Sequence, residues 1–93
     1  MPSIEISAEE FARTNRGLIT VLKAVAGSGK EGIPTRKLLN KIKMIGYGET
    51  LIKRAESLQY IRREKREPKN GVGFASIYNI LTPKGKKLLT KLN

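Results

Sequence analysis

The segment Gly27–Lys30, GSGK, contains the residue types of a phosphate-binding loop, in which backbone amides and a lysine hold the phosphates of a nucleotide. Such a loop also requires a glycine at position 24 and a hydroxyl residue directly after the lysine to hold magnesium. The sequence has Ala24 and Glu31 at these two positions. We therefore interpret the segment as a turn that follows a helix, and not as a nucleotide site.

Cysteine and histidine are absent from the chain. The sequence thus lacks thiolate and imidazole ligands for a metal, the usual proton carrier at neutral pH, and a disulfide framework. The eight carboxylates stand singly among basic residues, apart from Glu9 and Glu10. We expect no enzyme activity, no metal site and no cofactor.

Net charge is the most informative part of the composition. The 93-residue chain carries 19 basic and 8 acidic side chains, a formal net charge of +11. Residues 1–33 hold four of each sign, so residues 34–93 carry 15 basic and 4 acidic residues, the whole excess. A one-sided excess of this size is typical of a protein that binds a polyanion.

The length of the chain predicts a single domain, residues 1–93. Apolar runs are short, and the N-terminal residues lack the basic and apolar regions of a signal peptide. We therefore expect a cytoplasmic protein without a membrane span, associated with the nucleoid if its polyanionic partner is DNA.

The elements that must position the basic residues begin with a helix of about five turns, predicted from about residue 8. Ser7 is placed to cap this helix, while Ile6 and Phe11 occupy the positions of a hydrophobic staple. Apolar residues recur at helical spacing as far as Val25, and Gly27 is the expected stop.

Two shorter helices are predicted next, over about residues 35–59. Ile33 before them is expected to be extended, and Thr35 is the expected cap of the first, which ends near Lys43. The segment MIGYGE contains two glycines and predicts a tight turn, after which the second helix begins near Glu49. Two short helices joined by such a turn form a helix-turn-helix pattern.

A β-hairpin is predicted over about residues 60–81. Two runs of β-branched, aromatic and basic residues flank an Asn-Gly turn signal there. Strand alternation places Arg62, Glu64 and Arg66 on one face of this hairpin. A C-terminal helix then follows over about residues 83–92, with Thr82 as its cap and a proline at its first position.

Three stretches resemble the small winged helix-turn-helix DNA-binding domains, particularly those of archaeal DNA-binding proteins and of the multiple-antibiotic-resistance-type regulators. GIPTRKLLNKI is similar to the entry of the second helix, LIKRAESLQYIRRE to the recognition helix and the start of the wing, and YNILTPKGKKLL to the end of the wing. The resemblance implies an α+β winged helix-turn-helix fold with a three-helix core, a β-hairpin wing and a C-terminal helix. Gln59 departs from the family's pattern, in which a glycine is frequent at this turn.

In this family the third helix enters the major groove, and the wing lies on the DNA backbone or in the adjacent minor groove. The resemblance therefore assigns the exposed polar residues of both helices and the basic residues of the wing to DNA contact. These candidates are Thr35, Arg36 and Lys37 in the second helix, Thr50, Lys53, Arg54 and Ser57 in the third, and Arg62, Arg63, Lys65, Arg66 and Lys69 in the wing.

We expect the protein to bind double-stranded DNA and to act as a transcriptional regulator. Two alternatives stay open: an architectural, chromatin-like protein that coats DNA, and an interaction module whose basic surface meets a protein or RNA in a transcription or replication complex. A homodimer is a further open alternative, since many winged regulators bind paired half-sites. The candidates for its interface are Phe11, Ile19, Leu89 and Leu92.

Overall fold

The structure, a computed structural model, describes residues 7–43, 45–68, 71 and 73–92. Within these residues, five helices and three antiparallel strands form a mixed α+β architecture. The elements are α1 Ala8–Thr14, α2 Arg16–Ala26, β1 Ile33–Pro34, α3 Thr35–Ile42, α4 Ile45–Ser57, β2 Ile61–Arg66, β3 Ser76–Leu81 and α5 Pro83–Leu92.

The single long helix predicted at the start of the chain is wrong, because the helix breaks at Asn15. Ser7 caps α1 as expected: its hydroxyl oxygen accepts a hydrogen bond from the backbone N–H of Glu10 at 3.2 Å. Asn15 leaves the helical conformation, with φ −129° and ψ 46°, and its side-chain amide donates to the carbonyl oxygen of Phe11 at 2.9 Å. An asparagine offers the backbone such a local alternative to a helical bond. The predicted staple partner Ile6 lies outside the described residues.

The connection between α3 and α4 is shorter than predicted. Its described residue, Lys43, has a left-handed φ of 57°, and its N–H donates to the carbonyl oxygen of Leu39. α4 begins at Ile45 and not near Glu49, so the predicted turn at MIGYGE is wrong and both of its glycines are helical. Packing of α4 against α2 and α3 outweighs the cost of a glycine inside a helix, about 1 kcal/mol.

The predicted cap of α3 is also wrong. Pro34 is the N-cap residue, and Thr35 is the first residue of the helix. The hydroxyl of Thr35 does not accept a bond from the helix backbone in the described structure. It donates instead to the carbonyl oxygen of Ile77 in β3, at 3.1 Å.

The three strands form one sheet in the order β1-β3-β2. The short extended segment predicted before α3 is confirmed as β1, which pairs with Asn79 and Tyr78 of β3. β2 and β3 form the predicted hairpin, in which Arg63 lies opposite Asn79. Lys69 and the turn residue Asn70 lie outside the described residues.

The turn from α4 into β2 forms without the glycine that the family pattern favours. Gln59 takes a left-handed φ of 66°. The N–H of Gln59 donates to the carbonyl oxygen of Glu56, and the N–H of Tyr60 to that of Ala55, both at 2.9 Å. These two bonds are those of a Schellman motif, which satisfies the last carbonyl groups of a helix. Thr82 caps α5 as predicted, since its hydroxyl accepts the N–H of Gly85 at 3.1 Å.

The apolar core lies around α2, which packs against α3, α4, α5 and β3. Leu18, Val21, Leu22 and Val25 of this helix are at most 1% exposed. Ile19, predicted for a dimer interface, is buried in the same core, so its assignment to an exposed interface is wrong. The other three residues of that predicted interface pack partly buried against the core: Phe11, Leu89 and Leu92.

None of the helices in the described part of the chain has the length and the apolar character needed to cross a membrane.

Candidate nucleic-acid interface

The basic excess is unevenly distributed among the elements. α3 and its C-cap residue carry four basic side chains and no carboxylate, and β2 carries four against Glu64. α4 carries Lys53 and Arg54 against Glu49 and Glu56, so its net charge is zero. The uncompensated positive charge therefore flanks α4 and does not lie on it.

α4 presents a polar face to solvent because its apolar residues recur at helical spacing on the other side, where Leu51, Ile52 and Ala55 are buried. Tyr47, in the first turn of α4, is 64% exposed, so it does not belong to the core. The four residues predicted for contact on this helix are all exposed: Thr50, Lys53, Arg54 and Ser57.

α3 adds exposed cations beside this face. Arg36 and Lys37 are exposed, as expected. A groove between α3 and α4 is lined by Thr35, Arg36, Leu39, Asn40 and Glu49. The start of α3 and the first turns of α4 thus contribute to one continuous surface.

Arg63 occupies a different position from the other basic residues of the hairpin. Its Nε donates to Oδ1 of Asn79 at 3.1 Å, and its terminal nitrogen donates to the hydroxyl of Thr35 at 3.2 Å. The amide nitrogen of Asn79 donates to the carbonyl oxygen of Ile33 at 3.0 Å and to the Thr35 hydroxyl at 3.1 Å. Arg63 is therefore half-buried in a polar network that joins the hairpin to α3.

The remaining described cations of β2 divide into two kinds. Arg62 and Lys65 are exposed. Arg66 is half-buried, with its guanidinium carbon 4.3 Å from the ring centroid of Tyr78 and a terminal nitrogen 3.3 Å from Glu64. Arg62 and Lys65 are consequently the hairpin cations that are most accessible to an external anion.

The twelve predicted contact residues thus fall into three groups. Eight are exposed: Arg36, Lys37, Thr50, Lys53, Arg54, Ser57, Arg62 and Lys65. Thr35, Arg63 and Arg66 are half-buried and make the contacts given above, and Lys69 lies outside the described residues.

Comparisons with protein-family models, with curated proteins and with solved structures each find nothing similar to this chain.

One exposed aromatic residue near the end of the hairpin was not predicted as functional. Phe74 is 97% exposed and lines an open cleft with Arg66, Pro68 and Tyr78. Glu31 and Glu67 line the same cleft, so its charge is mixed. The sequence pattern of Phe74 is that of a core aromatic residue. Only its exposure, which the sequence does not specify, distinguishes it from one.

Sequence reasoning also left exposed lysines outside the candidate set, and six of them lie on α3, its C-cap and α5. They are Lys41 and Lys43 at the end of α3, and Lys84, Lys86, Lys87 and Lys91 on α5. The signal for them is a run of basic residues without a carboxylate. In the described residues, no three metal-ligating side chains come together.

Proposed function

We propose that this protein is a winged helix-turn-helix domain that binds double-stranded DNA and acts as a transcriptional regulator. The observation that carries the proposal is the position of α4. α4 contacts both α3 and β2, which carry an excess of positive charge, and its own exposed polar face has no net charge. This arrangement suits a duplex, because phosphate contacts position a protein on DNA whereas contacts with base edges select the sequence.

In this proposal α4 enters the major groove. Lys53 and Arg54 donate to the N7 and O6 acceptors of guanine, and the hydroxyls of Thr50 and Ser57 bond to bases or phosphates with less discrimination. The two carboxylates of α4 offset its two cations, so this helix adds little to attraction that is independent of sequence. Its contribution is selection rather than affinity.

The phosphate contacts come from both sides of α4. Arg36 and Lys37 lie in the first turn of α3, where the positive end of the helix also favours an anion. Arg62 and Lys65 extend from β2 without a hydrogen-bond partner among the described residues. Each phosphate that these side chains neutralise adds about 0.9 to the slope of log affinity against log salt.

A charge-matched pair of variants tests this surface. The variant Arg62→Gln/Lys65→Gln removes two exposed cations from the hairpin, and Arg16→Gln/Lys23→Gln removes two from the exposed face of α2. Binding to a random-sequence duplex is measured by fluorescence anisotropy across a salt series. In the hairpin variant the slope of log affinity against log salt is expected to fall in magnitude by about 1.8, the equivalent of two phosphates. In the α2 variant this slope is expected to keep its wild-type value.

Equal losses in the two variants would mean that bulk charge, and not this surface, attracts DNA. The regulatory role is tested separately by mapping where the protein binds in its genome. A few strong peaks are expected of a regulator, whereas broad coverage would favour the architectural, chromatin-like alternative.

A protein-interaction module is the second candidate function, and the cleft around Phe74 favours it. Aromatic residues are enriched at protein–protein interfaces, Phe74 is 97% exposed, and the two carboxylates of this cleft repel phosphate. This candidate predicts that Phe74→Ala abolishes retention of a protein partner while wild-type protein fails to bind duplex DNA at low salt. Retention of duplex by the wild type, with a steep salt slope, would favour the first proposal.

A further inference from the structure

α5 carries a further cluster of uncompensated positive charge. Its ten residues include four lysines and no carboxylate. The apolar residues Leu88, Leu89 and Leu92 lie on the side that packs against the core, so the lysines occupy the opposite side. We call the exposed lysines Lys86, Lys87 and Lys91 the α5 patch.

Lys84 has a separate structural role and does not belong to the α5 patch. Its ammonium group donates to the carbonyl oxygen of Leu58, near the end of α4, at 2.9 Å. It also lies 5.1 Å from the ring centroid of Tyr60. A cation at the C-terminus of a helix interacts favourably with the helix dipole, so Lys84 contributes to the fold.

The α5 patch has no acidic counterpart among the described residues. The ion pair found there joins Arg66 to Glu64, and no carboxylate of this part of the chain lies within 4.0 Å of a lysine nitrogen of the patch. Lys86 instead shares a cleft with another cation, Lys30. The patch is therefore a surface of like charges, which repel one another until an anion binds.

The patch lies on a different element from the proposed DNA-binding face. α5 packs mainly against α1, α2 and β3, whereas α4 packs mainly against α2, α3 and β2. A short duplex is stiff, with a persistence length of about 150 bp, so bending one duplex around the protein to reach both elements would carry a large cost.

We propose that the α5 patch binds the phosphate backbone of a second DNA duplex, so that one copy of the protein bridges two duplexes. This inference rests on the proposed function, which supplies the first duplex. Lysine ammonium groups contact phosphate as point charges and carry no sequence information, so the second duplex is bound without regard to its sequence. Bridging would bring separate DNA segments together at the sites where α4 binds.

A two-duplex capture experiment tests this inference. A biotinylated random-sequence duplex is immobilised, loaded with the full-length protein at about 50 mM salt and washed, and a fluorescent second duplex is then added. The variant Lys86→Gln/Lys87→Gln/Lys91→Gln changes only exposed side chains. Its controls are the wild type and the α2 variant Arg16→Gln/Lys23→Gln. Retention of protein and retention of fluorescent duplex are measured separately.

The wild type and the α2 variant are expected to retain the second duplex. The α5 variant is expected to bind the first duplex with an unchanged salt slope. The fluorescence of the second duplex that it captures is expected to be at least tenfold lower than for the wild type. Unchanged capture by the α5 variant would overturn the inference, as would a loss of about 2.7 in its salt slope, which would place all three lysines on the first duplex. Failure of the wild type to bind the first duplex would instead overturn the proposed function, and this inference with it.

Discussion

The side chain of Arg63 donates to that of Asn79 across the hairpin, from Nε to Oδ1 at 3.1 Å. Asn79 has no exposed surface, and its amide nitrogen binds both Ile33 and Thr35. This network joins β1, the start of α3 and both strands of the hairpin. It therefore holds the hairpin in a defined position beside α3 and α4, on which any shared binding surface depends.

Replacing Asn79 should destabilise the fold strongly. Asn79→Ala leaves Nε of Arg63 and the carbonyl oxygen of Ile33 without these partners and creates a cavity, so we expect a loss of about 2–3 kcal/mol in the free energy of unfolding. Urea denaturation measures this loss. Asn40→Ala, at an exposed position on α3, is the control and should change the free energy by less than about 0.5 kcal/mol.

Arg63 should affect DNA binding by holding the hairpin in position and not by contacting phosphate with its charge. Arg63→Ala is expected to weaken duplex binding because the hairpin loses its tie to α3, while the slope of log affinity against log salt stays at the wild-type value. Lys65→Ala, its exposed neighbour, should reduce that slope by about 0.9. Anisotropy titrations at several salt concentrations separate the two effects. A reduction of about 0.9 in Arg63→Ala would show that this guanidinium contacts phosphate directly.

The early start of α4 predicts opposite effects for two glycines that both have open space around them. Gly46 lies in the first turn of α4, so Gly46→Ala should stabilise the protein by about 0.5–1 kcal/mol. Gly29 has a left-handed φ of 75°, so Gly29→Ala should destabilise it by about 1 kcal/mol. Thermal or urea unfolding gives both values. Destabilisation by Gly46→Ala would contradict the helical conformation of this segment and would support the turn that the sequence predicted.

Gln59 is strained in its left-handed conformation, and a glycine there should relieve the strain. We expect Gln59→Gly to raise the free energy of unfolding by about 0.5–1 kcal/mol. Glu56→Gly is the matched control, since it introduces the same flexibility at a helical position and should lower stability by about 0.7 kcal/mol. If both variants were destabilised alike, the Schellman turn at Gln59 would not be the strained site.

Local signals in the sequence predicted much of the secondary structure. Ser7 and Thr82 act as caps because their hydroxyls bond to backbone groups three residues ahead, a pattern that is visible without tertiary information. The hairpin was likewise predicted from composition and its turn signal. The break at Asn15 was missed, since the apolar periodicity continues through it.

The errors lie where contacts between distant segments decide the structure. α4 extends over two glycines because its later residues pack into the core, which outweighs propensity. Strand alternation gives the face of Arg63 but not its partner, which depends on the register that sets Asn79 opposite it. The one-sided charge of residues 34–93 was evident from the sequence, yet the packing of both α3 and α5 against α2 depends on the tertiary arrangement.

The most direct test of the central claim is the salt dependence of wild-type binding to a random-sequence duplex, followed by fluorescence anisotropy. The arrangement of α3, α4 and the hairpin predicts a slope that corresponds to roughly four or more phosphates, at about 0.9 for each. A weak interaction with a flat slope would contradict DNA binding and would assign the basic surface to a protein or RNA partner.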